Sequence, residues 1–310
     1  MRRMEKNGEE QRSVKRFLAD RFPKLACYYY RNVRGMAHIN RFVTYLNREH
    51  PEICVSLLDV GARGGLNEIP IFKPLKRLKN RLVHGIEPDV KEAERLRKSG
   101  EYDHVFTDGV AWYDGEAMLH VPGKGNDVGC ASIRTINTPI AERWNLLAQG
   151  QRCTSTPIKV KKLSSILPTG TTYDFIKVDT EGCDYDVLAS AEPILLQKAL
   201  CVMSEVQGIQ LYEGQTVFLD FNAYMEKRGF FLYSLVTQVS CFQFYDAVWL
   251  KDPNLIDDVT NVLKYCLLGV LSRKKDFVSR ILETYERNNG KQEALESVYK
   301  KLNIKRSTCS

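Results

Sequence analysis

The residues best suited to chemistry in this chain are glycines and carboxylates that follow short apolar runs. Leu57-Leu58 leads into Asp59-Val60-Gly61-Ala62-Arg63-Gly64-Gly65, an acid and a glycine-rich turn at the end of an expected strand. Glycines let a backbone approach a ligand closely, and a following helix start adds N–H donors. The spacing is not the G-x-G-x-x-G of a dinucleotide site. Asp59 would repel a pyrophosphate, whereas it suits the ammonium and sulfonium of S-adenosylmethionine. Glu87, in Val83-His84-Gly85-Ile86-Glu87-Pro88-Asp89, lies about 20 residues beyond the turn, where an acid accepts both ribose hydroxyls of a nucleoside. The plainer reading is a surface carboxylate at a strand end. His84 reads as a strand histidine. Asp108-Gly109, after Phe106-Thr107, would face the adenine of such a ligand or form an ordinary turn, and the sequence leaves both open.

The most distinctive run is Tyr173-Asp174-Phe175-Ile176-Lys177-Val178-Asp179-Thr180-Glu181-Gly182-Cys183-Asp184. Strand alternation puts Lys177 and Asp179 on one face, with Asp179 at the carboxyl end. Ligands of open α/β sheets lie outside such ends. Structurally, Lys177 and Asp179 could simply be an ion pair, and Glu181 a charge at a helix start.

Elements must hold these residues in place. From Ile53 onward short apolar runs alternate with helix-compatible polar stretches, which implies a mostly parallel sheet with helices on both faces. FFLYSLV and FYDAVWL are too close for a crossover helix, so they should pair antiparallel at the end of the sheet. AMLHV should form a hairpin strand closed by Pro122-Gly123. The flanks read as helical. Val14, Phe17, Leu18 and Phe22 recur at helix spacing, as do Ile39, Phe42, Val43 and Leu46. Beyond Pro253, Leu255, Val259, Val262, Leu263, Cys266, Leu267 and Val270 should share one helix face, and Asn288-Asn289-Gly290 should break the next helix. The expected organisation is a basic helical segment (1–50), a Rossmann-like domain (51–250) and a helical extension (251–310).

DVGARGG (59–65), GIEPD (85–89), DFIKVDTEGCDYDVL (174–188) and SEV (204–206), in this order and spacing, resemble the FkbM-type S-adenosylmethionine-dependent methyltransferases over roughly residues 53–250. The resemblance implies a class I methyltransferase fold that uses S-adenosylmethionine and methylates hydroxyl oxygens of sugars, glycolipids or secondary metabolites. By matching position it implies that Asp59, Gly61, Ala62 and Gly65 hold the methionine end and Glu87 the ribose. Asp108 and Gly109 complete the candidate cofactor set. Family members often carry Asn where this chain has Arg63, and a bulky residue at Gly64. CASIRT (130–135) matches the loop before the fourth strand, which puts Ser132, with Glu181, on the substrate side. On this reading Asp179 is the base or hydroxyl-orienting group, Lys177 tunes its charge, and Glu205, ending the fifth strand, positions substrate. The rival reading is a non-catalytic scaffold that retains the fold and works through its helical ends.

Composition narrows the partners. The chain has 310 residues, 44% apolar and 27% charged, with a net charge of +7, which is globular composition. The excess sits at the ends: residues 1–50 hold 12 Lys/Arg against 5 Asp/Glu, and residues 251–310 hold 12 against 8. A nucleic-acid partner is therefore not expected. The basic ends instead offer surfaces for an anionic surface or for homo-oligomer contacts. No apolar run approaches membrane length, and the charged start lacks the apolar region of a signal peptide. The nine cysteines are scattered singly, without CxxC. A cytoplasmic protein with reduced thiols and no zinc site is expected.

Overall fold

The structure, a computed structural model, describes residues 35–66, 73–121, 131–144, 154–191, 193, 195–238, 241–271 and 275–304. The first expected helix (Val14 to Phe22) and the Pro122-Gly123 turn lie outside the described residues.

Among the described residues, ten strands form two sheets. The main sheet takes β1 (Val55–Val60), β2 (Arg81–Ile86), β3 (His104–Phe106), β7 (Phe175–Val178), β8 (Cys201–Gln207), β9 (Phe230–Gln238) and β10 (Cys241–Lys251) in the order β3-β2-β1-β7-β8-β10-β9. Neighbours are parallel except β10, which runs antiparallel to both β8 and β9. The expected open sheet with a terminal antiparallel hairpin is therefore present. The central strand β7 is buried along its whole length, with Phe175, Ile176 and Val178 apolar and Lys177 the one charged residue in it. A second sheet, order β4-β6-β5, takes β4 (Gly109–Val110), β5 (Gly115–Val121) and β6 (Thr154–Lys161). The AMLHV strand thus pairs with β6, outside the main sheet.

Helices cover both faces. On one, α1 (Gly35–Glu49), α7 (Val259–Leu271), α8 (Lys275–Asn289) and α9 (Glu293–Leu302) bury Phe42, Leu46, Leu267, Leu282 and Val298 against Leu57, Val83 and Phe175. On the other, α4 (Leu163–Ile166), α5 (Asp184–Ser190) and α6 (Phe218–Glu226) bury Val187 and Phe221 against Leu58, Ile176 and Trp249. The remaining helices are α2 (Val90–Ser99) and α3 (Thr138–Arg143). Val262, Leu263, Cys266 and Leu267 share a buried face as expected. Leu255 does not join them: it lies in the short 3-10 turn Pro253–Leu255 and is exposed, because Pro253 starts a turn that ends before the helix. The side chain of Val270 lies outside the described residues. Helix α8 stops at Asn289, and Gly290 takes a left-handed φ of 77°. No described helix is long and apolar enough to cross a membrane.

The closest backbone approach in the sheet is at its binding edge. Gly61 has φ of 74°, and a Cβ there would lie 2.0 Å from the carbonyl oxygen of Asp179. Gly61→Ala is expected to destabilise the protein by more than about 3 kcal/mol, since backbone strain and a clash add. Gly100→Ala, also at positive φ but with open space around it, should cost only about 1 kcal/mol. Urea unfolding of the two variants checks the ranking.

Candidate functional site

A cavity of about 570 Å³ opens at the carboxyl ends of β1, β2 and β7, within the range of small-molecule sites. The main sheet contributes Gly61, Glu87, Asp179 and Glu181 to its wall. The small sheet faces them with Val110, Leu119 and Ile158, and the loop before α3 adds Ala131 and Ile133. One side is thus acidic and the other apolar.

Glu87 is buried, accepts the N–H of Asp89 at 2.9 Å and has Arg63 Nη2 at 3.6 Å. Burial raises its pKa against these two partners. Asp89, the next wall carboxylate, caps α2 by accepting from Lys91 N and Glu92 N, and pairs with Arg63 at 2.9 Å. The Arg63 guanidinium is the main reason its pKa falls.

Under this wall lies a buried cluster. Lys177 Nζ donates to the carbonyl of Gly61 at 2.5 Å and stands 3.4 Å from both Asp59 Oδ1 and Asp179 Oδ2. Tyr102 donates to Asp59 Oδ2 at 2.6 Å. Burial opposes the charge on Lys177, but Asp179 and Asp59 more than offset it and raise its pKa. Burial also raises Asp59, against the pull of Lys177 and Tyr102.

Of the candidate residues, the structure brings Gly61, Glu87, Gly109, Asp179 and Glu181 to the cavity wall, with Lys177 directly behind. The others sit elsewhere. Asp59 lies beneath the wall, its carboxylate engaged by Lys177 and Tyr102. Ala62 is buried in the core, and Gly65 packs toward Leu96 and Glu101. Asp108 pairs with Lys161 at 2.9 Å. Glu205 does not end its strand, since β8 continues to Gln207, whose amide donates to Glu205 at 2.6 Å. It is not on the wall. Ser132 is buried and donates to the carbonyl of Glu181 at 2.6 Å. Sequence reasoning missed Arg63, Asp89, Tyr102 and Tyr212. Asp89 carried a signal, an Asp ahead of a helix; the two tyrosines carried none.

The sequence profile of the methyltransferase FkbM domain matches residues 59–232, which spans the glycine turn, Glu87 and the Asp179 loop. This chain belongs to the FkbM methyltransferase family. No curated protein matches it in sequence. Among solved structures it is similar to magnesium protoporphyrin IX methyltransferase from Synechocystis PCC 6803 with bound SAM, at 11% identity over 69% of this chain and 78% of that one (TM-score 0.34). The plantazolicin methyltransferase in complex with SAH matches at 11% identity over 80% and 99% (TM-score 0.36). The mitomycin 7-O-methyltransferase matches at 11% over 76% and 60% (TM-score 0.31). Likeness at this level assigns no residue or substrate.

Within the FkbM domain, the loop after β7 is heavily constrained. Glu181 takes φ of 51°, uncommon for a residue with a side chain. Tyr212 donates to Glu181 Oε2 at 3.0 Å, and its ring covers Gly182, where a Cβ would come within 2.3 Å. Arg134 ties Asp186 to the carbonyl of Glu213, both at 2.7 Å. Asp184 accepts from Thr180 N at 2.9 Å and Gly182 N at 3.2 Å. Burial, then the Asp179 carboxylate, pushes the pKa of Asp184 up to about 7. An unfolded Asp releases its proton near pH 4. Between about pH 4 and 7 the folded state therefore holds more protons, and stability falls as pH rises. Relative to Asp184→Asn, the native protein should lose urea stability across that window. A difference between the two proteins that stays flat with pH would rule this out.

Proposed function

We propose that this FkbM methyltransferase moves the methyl group of S-adenosylmethionine to a hydroxyl oxygen of a small-molecule, sugar or glycolipid acceptor. The observation that carries the reading is the wall itself. A buried carboxylate, Glu87, stands one strand from the Gly61 turn, and Asp179 and Glu181 stand beside it at the end of β7. Those groups fit the donor: Glu87 suits two ribose hydroxyls, and the carboxylates suit a ligand carrying a sulfonium and an ammonium. When bound, S-adenosylmethionine supplies an electrophilic methyl group.

This chain's residues then have to align a hydroxyl and take its proton. Asp179, its side chain 41% exposed and braced by Lys177 at 3.4 Å, is the group to orient the hydroxyl and accept that proton. Glu181, fixed by Tyr212 and Ser132, holds the acceptor's other polar groups. The apolar side formed by Leu119, Ile133 and Ile158 excludes water. Alignment contributes about 7–11 kcal/mol in such reactions, and a general base about 10²–10⁴-fold.

Incubation of small-molecule and glycan extracts with the enzyme and methyl-labelled cofactor, followed by mass spectrometry, should reveal a labelled ether. Labelling on nitrogen or carbon would refute oxygen transfer. Glu87→Ala should weaken S-adenosylhomocysteine at least about tenfold by calorimetry, as a buried polar partner is lost. Asp179→Asn should keep cofactor binding while turnover drops about 10²-fold or more. Full turnover in that variant would remove Asp179 from the base role.

A further inference from the structure

The backbone of the glycine turn is where an anionic group would ordinarily be received. In this chain most of its donors, all but the N–H of Arg63 itself, are already engaged. Gly61 N and Ala62 N both donate to Ile86 O at 3.0 Å, and Gly65 N donates to Ala62 O at 3.0 Å. Gly64 N donates to Glu92 Oε1 at 2.9 Å and Leu66 N to Glu101 Oε2 at 3.1 Å. An anion arriving at the turn would have to displace carboxylates or break the crossing from β1 to β2.

The side chains sharpen the problem. Glu87, Asp89, Asp179 and Glu181 all line the cavity, and Arg63 is the one cationic side chain on its wall among the described residues. Arg63 directs Nη2 to Asp89 at 2.9 Å and toward Glu87 at 3.6 Å. Its Nε and Nη1 make no hydrogen bond among the described residues, and its side chain is 35% exposed. Asp89 takes one hydrogen of Nη2, so one edge of the guanidinium, the second Nη2 hydrogen with its neighbouring nitrogen, is left to meet a planar anion.

We propose that Arg63 receives the α-carboxylate of the methyl donor, the single anionic group of S-adenosylmethionine. The role passes from backbone N–H groups to one side chain, and the Asp89 pair pre-orients it. This assignment rests on the cofactor reading above. Arg63 also links the two ends of the ligand, since the same guanidinium contacts Glu87, the ribose carboxylate.

Calorimetry on the full chain with two ligands tests it: S-adenosylhomocysteine, and its decarboxylated analogue S-adenosyl-3-thiopropylamine, which keeps the nucleoside, thioether and amine. The native protein should prefer S-adenosylhomocysteine by about 10- to 100-fold, the range of a charge-assisted contact. Arg63→Gln should erase that preference while binding the thiopropylamine as the native protein does, which reports an intact nucleoside pocket. Arg63→Lys should retain part of it. The assignment is overturned if the native protein shows no preference, or if Arg63→Gln keeps it. Should Arg63→Gln bind neither ligand, Arg63→Lys decides: a retained preference supports the assignment, and its loss with thiopropylamine binding intact overturns it. Native protein that binds neither ligand overturns the cofactor reading itself, and this assignment with it.

Discussion

A buried ammonium loses its hydration, and it persists only where the protein replaces that hydration from several directions. Lys177 is met by the carbonyl of Gly61, by Asp59 from β1 and by Asp179 from the end of its own strand. Tyr102 satisfies the other oxygen of Asp59. The cluster can form only because Gly61 lacks a Cβ, which lets the ends of β1 and β7 close to contact. Loss of Lys177 would leave the buried Asp59 carboxylate with Tyr102 as its remaining partner in the cluster. The placement of Asp179, and with it the acidic edge of the cavity, depends on this arrangement.

Two further constraints shape the site around that edge. The loop from Thr180 to Asp184 is held in a left-handed turn by contacts from two separate parts of the chain: the segment that carries Ser132 and Arg134, which pairs with Asp186, and Tyr212. Backbone strain of this kind survives where surrounding contacts over-determine it. On the other side, the small sheet supplies an apolar wall that the main sheet does not have. The result is asymmetric, with carboxylates and Arg63 on one side and aliphatic side chains on the other.

The helical flanks take a different place from the one their charge suggests. Helices α1, α7, α8 and α9 cover one face of the main sheet and share its core, with Phe42, Leu267 and Val298 fully buried. Among the described residues, Arg41, Arg48, Arg280, Arg287, Lys300 and Lys301 are exposed on these helices, while Lys264 turns inward to pair with Asp174.

The mostly parallel sheet and its antiparallel end were legible in the sequence because short apolar runs alternate with helix-compatible stretches, and a strand end at a ligand site changes abruptly to acid or glycine; the strand order was not. Gly61, Glu87, Asp179 and Glu181 stood out for that reason, and the FkbM domain match covers all of them. Which acids reach the cavity was a tertiary decision. Asp59 and Asp179 occupy similar positions at neighbouring strand ends, yet Asp59 is enclosed by Tyr102, a residue 43 positions away, while Asp179 stays open. Asp108 was drawn off by Lys161 from the small sheet, and Ser132 by the Glu181 carbonyl. Local pattern reports what a residue can bind. Only the packing of distant segments determines which partner reaches it first, and so which groups are left to face a ligand.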